Sequence, residues 1–437
     1  MSAAVAMIAP GDLVPDPRNA RTHDRRQIRQ IADSIRQFGF TNPCLVDEDN
    51  VLIAGHGRLE AARLLGLAEV PIIRVTHLTE PEKRALRLAD NKIAEKAGWD
   101  LDLLAAELAD LSEMELDFDI EVTGFETAEI DLVIGDAAGD DDPTPELAPV
   151  PDPDLPGVSQ PGDLWLLGKH RLLCGNARYL ADYERLMEGR QADMAFTDPP
   201  YNVPIAGHVC GNGRVRHLEF AEASGEMTPV EFTAFLAEVF GLGARHSRDG
   251  AIWLACIDWR HLPDMHSAGM EVFNDWLNLC VWVKTNGGMG SFYRSQHELI
   301  CVFRNGTACH RNNVQLGKYG RNRTNVWTYP GVNTFRPGRM EELQAHPTAK
   351  PVAMIKDAIL DVSRRGDLVL DPFMGGGARL IAAEQAGRVA CGLEIDPGYV
   401  DVTLRRWRAE TGQEPVRASD GCRLADLEQD LKQEVGQ

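Results

Sequence analysis

The chain is built from short apolar runs whose spacing changes along its length. Residues 25–39, RRQIRQIADSIRQFG, set Ile28, Ile31 and Ile35 at helical spacing and end in Gly39, which predicts an amphipathic helix with a glycine cap. Residues 42–56, NPCLVDEDNVLIAGH, place two apolar strands around the polar turn DEDN, a hairpin, and residues 57–67 form a second helix stopped at Gly66. A further helix is expected in DLLAAELADL, residues 102–111. Beyond residue 160 strands dominate: a pair in LWLLGKHRLLCGNA (164–177), a buried strand in DMAFT (193–197), and others in IWLACI (252–257) and LNLCVWVKTN (277–286). QHELICVFRNG (296–306) reads as a paired edge strand, pinned by His297 and Glu298. Residues 363–387 run strand, glycine-rich turn, helix, and VACGLEI follows as another strand. An α+β unit followed by an α/β unit is the expected fold class.

Between the units lies AAGDDDPTPELAPVPDPDLPGVSQPG, residues 137–162, with seven prolines and almost no large apolar side chain. Such a stretch cannot bury enough surface to fold and reads as a linker. The expected division is a first domain over 1–135, a linker over 136–160, a second domain over 161–412 and a tail over 413–437.

Composition narrows the class. With 437 residues and 44% apolar content, the chain can bury two or three cores, yet no apolar run approaches the ~20 residues needed to cross a bilayer. The start lacks a basic region before its short apolar stretch, and nine cysteines without a C-x-x-C pair suit reduced thiols rather than disulfides or zinc. A cytoplasmic protein without a metal is expected. The net charge of −21 is unevenly spread: 20 acids and no base lie between Lys96 and Lys169, whereas residues 299–340 hold seven bases and no acid. That basic window, interleaved with Tyr319, Trp327, Tyr329 and Phe335, suits a nucleic-acid surface.

Two motifs carry chemistry. In DMAFTDPPYNV, Pro199 and Pro200 cannot donate ladder hydrogen bonds, so the strand ends there and fixes Asp198, a stiff Pro199 carbonyl and the Tyr201 ring at its carboxyl end. In open α/β sheets that end binds ligands. In the second motif, Asp371, Phe373, Gly375 and Gly377 form a turn without the G-x-G-x-x-G spacing and without a base to meet phosphate. Glu394 closes the next strand, placed to accept two ribose hydroxyls. A ribose-bearing, phosphate-free cation fits, namely S-adenosylmethionine.

Together, DPPY and DPFMGGG make residues 161–412 resemble the amino-group DNA methyltransferases of the permuted β class, with HPTAKP at 346–351 and Asn176 as further matches. The resemblance implies a circularly permuted, Rossmann-like methyltransferase domain that methylates N6 of adenine in double-stranded DNA. N4 of cytosine is the alternative target. It implies catalytic roles for Asp198, Pro199, Pro200 and Tyr201. The cofactor would be held by Asp371, Phe373, Gly375, Gly377 and Glu394, with Asn176 on its adenine and Lys350 at its methionine end. Here Gly375-Gly376-Gly377-Ala378 replaces the family's Gly-Ser-Gly-Thr. Target recognition is expected over 305–340, with Arg311, Lys318, Arg321 and Arg323 on DNA, joined by Arg214 and Arg216 from the loop 203–227. A homodimer is the candidate assembly.

The first unit resembles the ParB-like nuclease fold from PDPRNAR (15–21) through GHGRLEAA (55–62) to EVPII (69–73). The family's phosphate-holding G-E-R-R-x-R-A box reads GHGRLEA here, so two of its three arginines are missing, which favours DNA docking over nucleotide hydrolysis. Pro43-Cys44 matches a cytosine-C5 nucleophile dipeptide but lies in the hairpin and reads as a buried thiol. A rival class is a partition-type DNA-binding protein with a vestigial methyltransferase fold.

Overall fold

A computed structural model describes residues 4–94, 96–114, 116–138, 157–202, 223, 225–285, 293–315, 321, 323–330 and 350–435. It falls into two units, Met1–Asp140 and Asp141–Gln437.

The first unit follows its sequence pattern closely. Helix α1 (Arg25–Phe38) begins where the Asp24 carboxylate accepts the Gln27 N–H and ends at Gly39, whose φ of 80° requires glycine. Strands β2 (Cys44–Val46) and β3 (Leu52–Ala54) form the expected hairpin, and α2 (His56–Leu65) ends at Gly66. With β1 (Val5–Ile8) and β4 (Val70–Arg74) they make a four-stranded sheet of order β1-β4-β2-β3. Leu13, Cys44, Val46, Leu52, Leu59 and Ile72 fill its core. Cys44 is fully buried, and burial pushes its thiol pKa up, so it is inert as the hairpin context predicts. Arg58 donates to the carbonyls of Asn42 and Pro43 at 2.6 and 3.1 Å, tying the α2 start to the hairpin. Helices α3 (Glu80–Ala94), α4 (Leu101–Glu113) and α5 (Thr127–Ala138) complete the unit.

The second unit is organised around a ten-stranded sheet. Its strands are β5 (Leu164–Leu167), β6 (His170–Cys174), β7 (Ala192–Thr197), β8 (Ser247–Ile257), β9 (Asp275–Val283), β10 (His297–Arg304), β11 (Val326–Thr328), β12 (Leu368–Asp371), β13 (Val389–Glu394) and β14 (Val416–Arg417). The spatial order is β11-β9-β10-β8-β7-β12-β13-β6-β5-β14. One face is covered by α6 (Leu180–Met187), α7 (Pro229–Arg245) and α8 (Leu262–Val272) through Tyr183, Phe232, Leu236 and Met265. The other is covered by α9 (Val352–Val362), α10 (Ala378–Gln385), α11 (Pro397–Thr411) and α12 (Leu424–Val435), which contribute Ile355, Ile381, Leu404 with Trp407, and Leu424.

Two expectations change. Strand β10 is interior, paired antiparallel with both β9 and β8, because its nearly continuous apolar run is buried on both faces. Residues beyond Gly412 do not trail off: β14 pairs with β5, and α12 is fastened by Glu428 to Arg405 and Arg408.

Five neighbouring strands, β8, β7, β12, β13 and β6, run parallel. Their carboxyl ends therefore share one edge of the sheet. With about 4.8 Å between strands, the ends of β7 and β6 stand roughly 14 Å apart. The antiparallel β10 brings its amino end, with Glu298, to the same edge.

Candidate active site

Four of the five strands of the parallel block deliver a polar residue to this edge as they end. Asn176 follows β6, Glu394 ends β13, Asp371 ends β12 and Asp198 follows β7. The row brings together the residues expected to hold the cofactor and, at its other end, the turn expected to be catalytic.

The side expected to take the cofactor is formed by two turns. Glu394 is nearly buried; its two oxygens accept the N–H groups of Gly375, at 2.7 Å, and Asp396, at 2.9 Å. Burial pushes its carboxyl up to about 7, aided by the nearby acids Asp396 and Asp371 and opposed by those two backbone donors. Gly375 and Gly377 have φ of 55° and 81°, a backbone region that favours glycine. A side chain at Gly375 would meet open space, whereas a Cβ at Gly377 would lie 2.7 Å from the Thr403 methyl. Asn176 is half-buried and follows Gly175, whose N–H donates to the Glu394 carbonyl at 3.0 Å; its side-chain oxygen accepts the Arg178 N–H at 2.8 Å. Phe373 packs on Phe235 with ring centroids 6.0 Å apart.

Asp371 is buried and ion-paired to Arg379, whose Nε lies 2.6 Å from it, and it also accepts the Phe373 N–H. Burial pushes its carboxyl up and the guanidinium opposes that. Arg379 occupies a position the sequence reading left unremarked. The residues fit S-adenosylmethionine: a carboxylate able to accept hydroxyls and a glycine turn with room above Gly375.

Around the DPPY turn lies a tight ionic cluster. Asp198 accepts from the Tyr201 hydroxyl at 2.7 Å and from the Lys350 ammonium at 2.8 and 2.9 Å. That ammonium is fully buried and also lies 2.9 Å from Glu298, with the Tyr201 ring centroid at 5.4 Å. Lys284 donates to the other Glu298 oxygen. Burial raises the Glu298 carboxyl, but Lys350 and Lys284 outweigh it and hold it at about 2. Burial pushes the Tyr201 phenol well above its usual value, with Asp198 and Glu298 adding to the shift. Two sequence expectations differ here: the Lys350 ammonium, expected at the cofactor's methionine end, bonds Asp198 and Glu298, and Glu298, expected to pin its strand, pairs with Lys350 and Lys284 beside the DPPY turn.

The expected DNA contacts divide. Arg214, Arg216 and Lys318 lie outside the described residues. Arg311 is half-buried. Arg321 and Arg323 are not available to read bases: Arg321 pairs with Asp361 at 2.8 Å, and Arg323 pairs with Asp361 at 2.7 Å and Asp357 at 2.9 Å, both acids on α9. The acid-free window draws its counter-charges from outside itself. Part of it is structural, since β11 extends the sheet and Asn313 donates to the carbonyls of Leu360 and Ser363. Among the described residues, no helix is long and apolar enough to cross a membrane.

Comparison with known proteins bears on both units. A DNA methylase family model for N6 and N4 enzymes matches residues 192–405, a ParB N-terminal domain model matches 1–92, and a ParB-methyltransferase helix-turn-helix model matches 102–161. The ParB-like nuclease domain-containing protein YnaK of Escherichia coli is 48% identical over 73 residues, 17% of this chain and 84% of that protein. The type II methyltransferase M2.DpnII of Streptococcus pneumoniae is 27% identical over 236 residues, 51% of this chain and 85% of that enzyme. The DNA adenine methyltransferase YhdJ of Escherichia coli is 43% identical over 82 residues, 19% of this chain and 26% of that enzyme.

Proposed function

Because the chain is a DNA methylase of the N6/N4 family joined to a ParB-type N-terminal domain, we propose that it methylates N6 of adenine in double-stranded DNA, using S-adenosylmethionine. The observation that carries this reading is the Asp198-Pro199-Pro200-Tyr201 turn, which leaves β7 directly beside the Asp371 turn of β12. An exocyclic amine is a poor nucleophile because its lone pair is delocalised into the ring. If its two N–H groups donate to the Asp198 carboxylate and the Pro199 carbonyl, the nitrogen is drawn toward tetrahedral geometry and its lone pair is freed. Proline rigidity keeps these acceptors in place, so little reorganisation is needed during reaction. The base must leave the duplex to reach them, and the Tyr201 ring is its stacking face. The bound cofactor supplies an electrophilic sulfonium methyl.

On the cofactor side, Glu394 takes the ribose hydroxyls, Asn176 the adenine, and Phe373, Gly375 and Gly377 shape the turn, with Asp371 toward the methionine end. Arg214, Arg216, Arg311 and Lys318 are the proposed DNA contacts, and the ParB-type and helix-turn-helix modules add to the footprint. An aspartate before the two prolines favours adenine over cytosine, and the adenine enzyme YhdJ is among the relatives. Nucleoside mass spectrometry of DNA methylated in vitro tests the reading: N6-methyladenine is expected, and recovering N4-methylcytosine or no modified base refutes it. Asp198→Ala should abolish methylation while leaving cofactor binding intact.

A further inference from the structure

The target pocket already contains a donor. The Lys350 ammonium bonds both oxygens of Asp198, the carboxylate assigned to the target amine, and its side chain has no exposure. A carboxylate that shares its lone pairs with a buried cation is a weaker acceptor, so an incoming amine meets a site part-filled by the protein's own nitrogen. A second acceptor already shares this ammonium. Glu298 lies 2.9 Å from the same ammonium and faces the site only because β10 begins at the edge where β7 and β8 end. Moving the ammonium from Asp198 toward Glu298 therefore needs a small displacement and keeps it paired throughout, which avoids the large cost of an unpaired buried charge. Asp198 and Glu298 stand against Lys350 and Lys284, two acids against two bases, so the ammonium moves within a charge-balanced group.

We propose that Lys350 and Glu298 are positioning residues for methyl transfer: Lys350 holds the acceptor on Asp198 in the DNA-free enzyme, and Glu298 receives it when the target amine enters. This rests on the amine-acceptor role of Asp198 given above. It assigns Lys350 to the amine pocket and predicts that the two residues act against each other.

The test uses the full chain, tritiated S-adenosylmethionine as methyl donor and unmethylated bacterial genomic DNA. Glu298→Gln keeps the shape but removes the charge that draws Lys350 away, so kcat should fall at least tenfold with KM for the cofactor unchanged. Lys350→Arg, whose two-pronged guanidinium grips Asp198 more firmly, should lower kcat in the same way. The double variant Glu298→Gln/Lys350→Met removes both the receiver and the competing donor, and should recover most of the turnover lost in Glu298→Gln. A residue with only a structural role gives no such rescue. Melting curves and calorimetric cofactor binding are read on every variant. The proposal is overturned if the double variant stays as slow as Glu298→Gln, if Lys350→Arg turns over like the parent, or if Glu298→Gln loses affinity for the cofactor. Absence of any methylation by the parent chain would instead remove the functional reading on which the proposal rests.

Discussion

The affinity for S-adenosylmethionine should depend on pH through Glu394. Burial holds its carboxyl at about 7, above its ordinary range, despite two backbone N–H donors. Ribose hydroxyls are donors, so they favour the ionised form. In the cofactor-free protein the ionised fraction is about one tenth at pH 6 and about nine tenths at pH 8, a near-tenfold gain in affinity worth about 1.4 kcal/mol. Stability runs the other way. The folded pKa lies above the unfolded one, so the folded state binds the proton more tightly, and stability declines as pH rises from about 4.5 to about 7 by up to roughly 3 kcal/mol. Calorimetric titration with the cofactor at pH 6, 7 and 8 measures the first effect, and thermal melts over the same range with and without cofactor measure the second. Glu394→Gln should bind weakly and flatten the dependence on pH. Equal affinity at pH 6 and 8, or a slope that survives in Glu394→Gln, refutes the reasoning.

Other predictions concern the packing that supports the site. Arg321→Met should remove one of the two guanidinium partners of Asp361, leaving Arg323, and cost about 1–3 kcal/mol in urea unfolding, while the methylated sequence stays the same. Gly377→Ala forces a side chain into a left-handed turn and against Thr403, so it should lose at least about 1 kcal/mol and weaken cofactor binding, read by melting and calorimetry. Arg379→Met strands the buried Asp371 and should destabilise by about 3–5 kcal/mol at neutral pH. Adding Asp371→Asn should restore much of that in the same unfolding assay.

How much of this could be read from the chain depends on how local each cause is. Asp198 and Asp371 were legible because prolines and glycines mark where their strands must stop, and the parallel block then aligns those ends without further information. Glu394 was legible for the same reason. Glu298 was hidden because its place depends on β10 running against β8, a relation between segments about 40 residues apart that leaves no periodic trace. Its only sign was a carboxylate beginning an otherwise apolar run. Arg321 and Arg323 misled for a related reason: their partners lie 40 and 34 residues downstream on α9, so a window that looks unpaired in sequence is neutralised in space. The interior position of β10 escaped because its hairpin with β9 is local whereas its pairing with β8 is not.

The distance along the chain between Asp198 and Lys350, 152 residues, also bears on how the protein is made. Neither residue can find its partner until most of the second unit has left the ribosome. The Asp401 carboxylate, which accepts the Val158 and Ser159 N–H groups from 243 and 242 residues away, closes the unit later still. Such long-range closures are slow relative to local helices and hairpins. The first unit, with its sheet drawn from the first 74 residues, can fold while the second is still being synthesised. A nascent or truncated chain would therefore gain its ParB-type module well before any capacity to modify a base. Time-resolved proteolysis during synthesis should record protection in that order.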